Sequence, residues 1–175
     1  GGMGVLVLAT AIVPKLGIRS HYLTKAETPG PVFSKLVPKQ SQTSKILYSM
    51  YFALTALEVV CLKIAGMPLY DSLIHAFSTA GTGGFSNRNA SVGAYDSVAI
   101  DVIITIFMLL FSINFAVYFL ILTKKWRDAL ASDELRFFLA VVVTATAVIT
   151  LANLGVYSGV WESLRYTSFQ VASII

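Results

Sequence analysis

Three apolar runs, each long enough to cross a lipid bilayer, constrain this chain before any other feature does. Ile46 to Ala65, Val98 to Leu122 and Phe137 to about Val156 each supply some twenty residues or more. A helix needs about 20 residues to cross a hydrocarbon core of about 30 Å. In lipid a lone segment must satisfy its own backbone hydrogen bonds, so each run is predicted to be helical. The composition agrees: 56% of the residues are hydrophobic, only 13% are charged, and mean hydropathy is +0.75. Soluble domains carry roughly 25% charge, and half of that cannot cover a water-facing surface. This excludes a disordered chain, a coiled coil, a disulfide scaffold and a nucleic-acid-binding module. The lone cysteine, Cys61, lies in an apolar run and reads as a small buried hydrophobe. Residues 1–14 hold a fourth, shorter run, Gly2 to Val13, without a basic leader or cleavage motif. It reads as the end of a span from a preceding unit. The chain also closes inside an apolar stretch, at Ser173-Ile174-Ile175. Both ends read as cuts through membrane segments of a longer polytopic protein.

Two basic linkers separate the runs. Residues 15–45 contain Pro29-Gly30-Pro31 and Pro38, which predict irregular, partly polyproline structure. Residues 123–136 contain Lys124-Lys125-Trp126-Arg127, an amphipathic stretch whose tryptophan suits the headgroup level. The linkers and their flanks hold ten of the thirteen basic residues, leaving Lys63, Arg88 and Arg165 on the other side. The positive-inside rule places the linkers in the cytoplasm of a multi-pass protein, which is read as one of the cell (inner or plasma) membrane. Excess basic charge is thereby explained as topology and requires no nucleic acid. The outer side carries Glu58, Asp71, Asp96, Asp101 and Glu162 against three cations, a net of −2, which favours cations at that mouth.

Between the first two full runs, Gly66 to Ser97 starts and ends on the outer side. Within it, Leu69 to Thr79 has apolar residues at 69, 70, 73, 74, 76 and 77, a helical period. Pro68 before it and Asp71 in its first turn are helix-start signals. Eleven residues rise only about 16 Å, half the hydrocarbon thickness. Ala80-Gly81-Thr82-Gly83-Gly84-Phe85 follows, and this glycine-rich run is a poor helix. A half-length helix in and a glycine segment out make a re-entrant loop. Irregular backbone at membrane depth is tolerated only where protein or a wet cavity surrounds it. Glycines let carbonyl oxygens turn toward a common axis, and a ring of carbonyls can replace a cation's hydration shell. The negative C-terminal end of the half-helix favours a cation at the same place. The order span, half-helix, glycine loop, span then begins again: Tyr166 to Ser173 can be laid on Asp71 to Ser78 by hydropathy, with little identity beyond Ser173 on Ser78.

Several short motifs, in order along nearly the whole chain, resemble the bacterial Trk/Ktr potassium-uptake transporter family. They are Gly1-Gly2-Met3-Gly4, Pro29-Gly30-Pro31, Ala65-Gly66-Met67-Pro68, His75-Ala76-Phe77-Ser78-Thr79, Gly83-Gly84-Phe85-Ser86, Ala90-Ser91-Val92-Gly93 and Tyr95-Asp96-Ser97. The resemblance implies an all-α polytopic membrane protein built from four span–pore-loop–span units, as in potassium channels, with re-entrant half-helices. Residues 46–122 would be one complete unit, with a pore half-helix at about 69–79 and a filter at about 80–86. Residues 137–175 would be the first span and half-helix of the next unit. Thr82-Gly83-Gly84-Phe85 stands where potassium channels have Thr-Val-Gly-Tyr, making Gly84 the counterpart of the retained glycine. The doubled glycine departs from the channel pattern. The resemblance thus assigns the backbone of Gly81, Thr82, Gly83, Gly84 and Phe85 to potassium, the transported substrate, with no covalent cofactor and no side-chain metal site. Implied partners are membrane lipid, the remaining pore units, a second copy in a homodimer and a cytosolic nucleotide-binding regulatory ring.

Other polar residues have structural as well as functional readings. Asn114 is a candidate for the wall of the path below the filter, or for interhelical bonding. Glu58, a carboxylate at membrane depth, has Lys63 and Arg88 as possible ion-pair partners. His75 reads as hydrogen-bonded packing, and Thr144, Thr146 and Thr150 as bonding back to their own helix. Two other functions compete with a potassium pathway. One is a secondary transporter with re-entrant hairpins. The other is an intramembrane enzyme using Ser78 and His75, for which no second catalytic element is visible; the sequence is read as that of a non-enzyme.

Overall fold

The structure, a computed structural model, describes residues 40–157 and 159–175. The short run at 1–14 and residues 15–39 of the first linker lie outside the described residues. Among the described residues seven α-helices follow one another: α1 (Gln40–Ile64), α2 (Leu69–Ala80), α3 (Val98–Ser112), α4 (Phe115–Leu122), α5 (Trp126–Leu130), α6 (Asp133–Ala152) and α7 (Val160–Ile174). A 3₁₀ turn, Ser91–Tyr95, precedes α3. There is no strand among the described residues.

The turn from α1 into α2 is made by local chemistry. Gly66 has φ +96 and donates its N–H to the Lys63 carbonyl, and Met67 donates to the Leu62 carbonyl at 3.1 Å. This is a Schellman ending, with the left-handed position taken by glycine. Its accompanying apolar contact is present too, because Leu62 and Met67 are both fully buried in one cluster with Val92, Ile100 and Ile104. Pro68 then opens α2, and its carbonyl receives the Ser72 N–H at 2.8 Å and the Ser72 hydroxyl at 3.0 Å. A second cluster, Ala80, Phe107 and Phe111 with Met50, Tyr51 and Leu54 against it, seats the far end of α2 between α1 and α3. α7 packs on α3 and α6.

The apolar run Val98 to Leu122 is not one continuous helix. Ile113 is extended (φ −73, ψ 137) and separates α3 from α4. At the interruption the Leu110 carbonyl accepts a three-residue bond from the Ile113 N–H at 3.3 Å, and the Tyr118 hydroxyl adds a second at 2.7 Å from across the break. Asn114 starts α4, and its carbonyl accepts the Val117 N–H. Asparagine favours helix starts over helix interiors because its side chain competes for local backbone hydrogen bonds; here that side chain is turned to Glu134 of α6. α1 begins at Gln40, inside the segment read as linker.

Much apolar surface remains uncovered. On α6, Phe137 is 72% exposed and Leu151 67%. That helix is the one among the described residues that is long and apolar enough to cross a membrane. The Thr150 expectation fails. Its hydroxyl has no partner among the described residues, while its carbonyl accepts from Ser163 of α7 at 3.1 Å.

Candidate functional site

The end of α2 sets the geometry of the glycine segment. Thr82 donates its N–H to the Thr79 carbonyl and Gly83 donates to the Ser78 carbonyl at 2.8 Å. This again is a Schellman ending, but the left-handed position is held by Thr82 (φ 51). A β-branched residue there is strained, and such strain concentrates at functional positions. Gly84 is also left-handed, at φ +68. Positive φ on either side of Gly83 prevents the regular two-sided alternation of a strand.

The hydrogen bonding of the carbonyls changes sharply at Ala80. Those of Ser78 and Thr79 accept from the turn, and that of Ala80 accepts from the Tyr51 hydroxyl on α1. The next five, from Gly81 through Phe85, receive no hydrogen bond from any described residue. Thr82 to Phe85 are exposed and line a cavity of about 520 Å³ together with Ser78, Met108 of α3 and Gln170 of α7. A run of unused carbonyls beside a cavity is a ready coordination surface for a hard, oxygen-seeking cation.

The segment folds back along α2 and is tied to its start. His75, 3% exposed, donates Nδ1–H to the Asp71 carbonyl at 2.8 Å. Its Nε2 is therefore the acceptor for the Ser86 hydroxyl at 3.0 Å. Ser86 Oγ in turn accepts the Arg88 N–H at 3.1 Å. The Asp71 carboxylate accepts from Tyr95 Oη at 2.5 Å, from Asn87 Nδ2 at 2.5 Å, and from Arg88 Nη2 at 2.9 Å and Nε at 3.3 Å. Tyr95, then Asn87 and Arg88, hold this carboxyl down at about 2. Asp71 in return raises the Arg88 guanidinium above its usual range.

The five backbone candidates Gly81, Thr82, Gly83, Gly84 and Phe85 therefore lie together. Asn114 is not among them. Its amide reaches both Glu134 oxygens at 3.3 Å, and it lines a second cavity of about 320 Å³ between α3, α4 and α6. Ser112 and Ile175 border both cavities. Glu58 makes neither expected ion pair. Arg88 is taken by Asp71, Lys63 is exposed, and both Glu58 oxygens are buried without a partner among the described residues. Ser78 and His75 form no nucleophile–base pair, since both ring nitrogens of His75 are committed elsewhere and the Ser78 hydroxyl has no partner among the described residues.

Sequence reasoning missed Ser86, Asn87 and Tyr95 as anchors of the loop, and it missed the Arg165–Asp101 ion pair. Arg165 Nη2 lies 2.7 Å from Asp101 Oδ2, joining α7 to α3. The clustering of opposite charges on the outer side was the signal for Arg165 and Asp101, and Ser86 and Tyr95 stand in the motifs that resemble the Trk/Ktr family; Asn87 carried no signal of its own.

The sequence profile of the TrkH cation transport proteins matches residues 1–174. The chain is 39% identical over 182 aligned residues to the Trk system potassium uptake protein TrkH of Salmonella typhimurium, covering 99% of this chain and 37% of that protein. It is 37% identical to the Trk system potassium uptake protein TrkG of Escherichia coli, covering 90% of this chain and 33% of that protein. The crystal structure of the potassium transporter TrkH from Vibrio parahaemolyticus superposes with a TM-score of 0.77 at 32% identity, over 99% of this chain and 35% of that one. The chain thus spans about a third of the length of these relatives. Its fold is that of an all-α polytopic membrane protein with pore-loop repeats.

Proposed function

The chain belongs to the TrkH family of cation transport proteins, and on that premise we propose that it forms part of a potassium-selective uptake path through the plasma membrane. In this reading Gly81 to Phe85 are one quarter of a filter, and their carbonyl oxygens point to a shared axis and take the place of water around a potassium ion. The other quarters come from the remaining span–pore-loop–span units of the full protein, including the one that α6 and α7 begin. Asn114, at the α3–α4 break, belongs to the wall below. The full protein works as a homodimer on a cytosolic nucleotide-binding regulatory ring.

The observation that carries this reading is the run of five carbonyls, Gly81 to Phe85, that no described protein group satisfies. Unpaired backbone groups at membrane depth are costly, and a partly dehydrated cation supplies what the protein withholds. The cargo is potassium because both relatives named above are potassium uptake proteins and the glycine segment stands in the filter position. Expression of the full-length protein in cells lacking potassium uptake tests it. Growth at low potassium is expected to be restored, and an excess of sodium is expected not to abolish it. Failure to restore growth, with the protein present in the membrane, overturns the reading. Rescue that depends on an organic substrate favours the secondary-transporter alternative.

A further inference from the structure

Asp71 is placed where a pore helix would ordinarily need only a helix-start residue, yet its carboxylate does far more than that. The residue is 4% exposed, and its two oxygens accept four hydrogen bonds from Asn87, Arg88 and Tyr95. All three donors follow the glycine segment in sequence, by as little as two residues after Phe85. The tie is independent of the half-helix's own capping, which uses no side chain of Asp71. It is reinforced by His75, one turn further along α2, which holds Ser86, and by the Arg88 guanidinium over the Tyr95 ring, 5.9 Å from its centroid.

We propose that Asp71 is a positioning residue for the filter: a single buried carboxylate that fixes the exit of Gly81–Phe85 by gripping Asn87, Arg88 and Tyr95. The inference rests on the filter reading given above. A backbone carbonyl has no side chain by which it can be held, so its direction is set by what anchors the chain on either side. At the inner end that anchor is the Schellman turn with Tyr51 on the Ala80 carbonyl. At the outer end it is Asp71. A carboxylate suits the role because it offers about four acceptor sites and can serve a bidentate arginine, a phenol and an amide together.

A different role for the same residue is to draw cations to an acidic mouth, and the two roles predict opposite signs. For steering, Arg88→Gln removes a repelling charge and speeds potassium capture, and the effect of Asp71→Asn fades as ionic strength rises. For positioning, both changes loosen the filter and lower the preference for potassium over sodium, at every ionic strength. The experiment compares the full-length transporter and its Asp71→Asn, Arg88→Gln and Tyr95→Phe variants in proteoliposomes. Initial rates of potassium and sodium uptake are measured at low and high concentrations of an impermeant salt, with protein content quantified. Expected is a loss of about tenfold in potassium preference for Asp71→Asn. Losses in the same direction are expected for Arg88→Gln and for Tyr95→Phe, which removes one oxygen only and should fold. All three losses should be independent of salt. A gain in potassium rate with Arg88→Gln, or a salt-sensitive effect of Asp71→Asn, overturns the proposal. So does unchanged preference in Tyr95→Phe and Asp71→Asn alike. Gly84→Ser measured alongside separates the two claims: if it too leaves preference unchanged, the filter reading itself fails. If only Gly84→Ser has an effect, the filter stands and the role of Asp71 does not.

Discussion

Replacing Gly84 with serine tests the candidate filter with little disturbance elsewhere. A Cβ at this position would meet nothing within 4 Å, so no steric clash opposes the change. The cost is conformational, because φ is +68, and an L-residue there loses roughly 1–2 kcal/mol. That is too little to unfold a helical domain, but it pushes the peptide planes on either side of residue 84 toward negative φ. If the carbonyls of Gly83 and Gly84 coordinate potassium, the same 1–2 kcal/mol appears as a loss of about 5–30-fold in potassium preference. The assay is potassium uptake by the full-length protein in uptake-deficient cells, with sodium as competitor and membrane abundance measured in parallel. Gly93→Ala is the control, since Gly93 is equally open and has no positive φ. Unchanged preference in Gly84→Ser at normal abundance would refute the idea that this backbone faces the ion.

Three further outcomes are expected. Asp71 is held at about 2 against an ordinary 3.8, so the stabilisation from its hydrogen bonds is complete above about pH 4. It is lost as pH falls toward 2, and thermal melting of the purified full-length protein across that window should show a slope that Asp71→Asn flattens. Arg165→Gln leaves Asp101, 8% exposed, without its cation. It should lower stability by about 3 kcal/mol, read as a drop in melting temperature that a second change, Asp101→Asn, partly reverses. Ser78→Ala removes a hydroxyl that has no partner among the described residues, so transport should be largely retained; complete loss would revive a chemical role for Ser78.

What the sequence disclosed was local. Pro68, the apolar period of Leu69 to Thr79 and the glycine run that follows are contiguous signals, and they mark α2 and its abrupt end. The ties that hold the loop are not contiguous. Asn87, Arg88 and Tyr95 reach Asp71 across 16 to 24 positions, and no periodicity connects them. The same non-local choice misdirected the reading of Glu58, because Arg88 could serve only one carboxylate and the nearer claim was that of Asp71. The interruption at Ile113 was hidden for another reason. Its two neighbours, Ser112 and Asn114, are polar but stand alone in a long apolar run, so mean hydropathy stays high across it. A serine can bond back to its own helix, as Ser112 does to the Met108 carbonyl at 2.8 Å, and an asparagine reads equally as a helix start and as interhelical glue. Thr82 is a third kind of case. Preference puts a glycine in a left-handed position, as at Gly84, and Gly81 and Gly83 flank Thr82, yet threonine takes the left-handed position between them. Thr150 escaped because its carbonyl, not its hydroxyl, was what the neighbouring helix required.

The clasp between His75 and Ser86 has a mechanical consequence. From His75 to Ala80 the half-helix advances only about 8 Å along its axis. The six residues that return from Gly81 to Ser86 would reach about 20 Å if drawn straight. The return path is therefore slack, with more contour than distance, and the surplus is folded into the reversals at residues 82 and 84. A slack arc keeps one shape only while its ends are held, so the clasps at Ala80, at Ser86 and at Asn87 to Tyr95 decide how far its peptide planes can swivel.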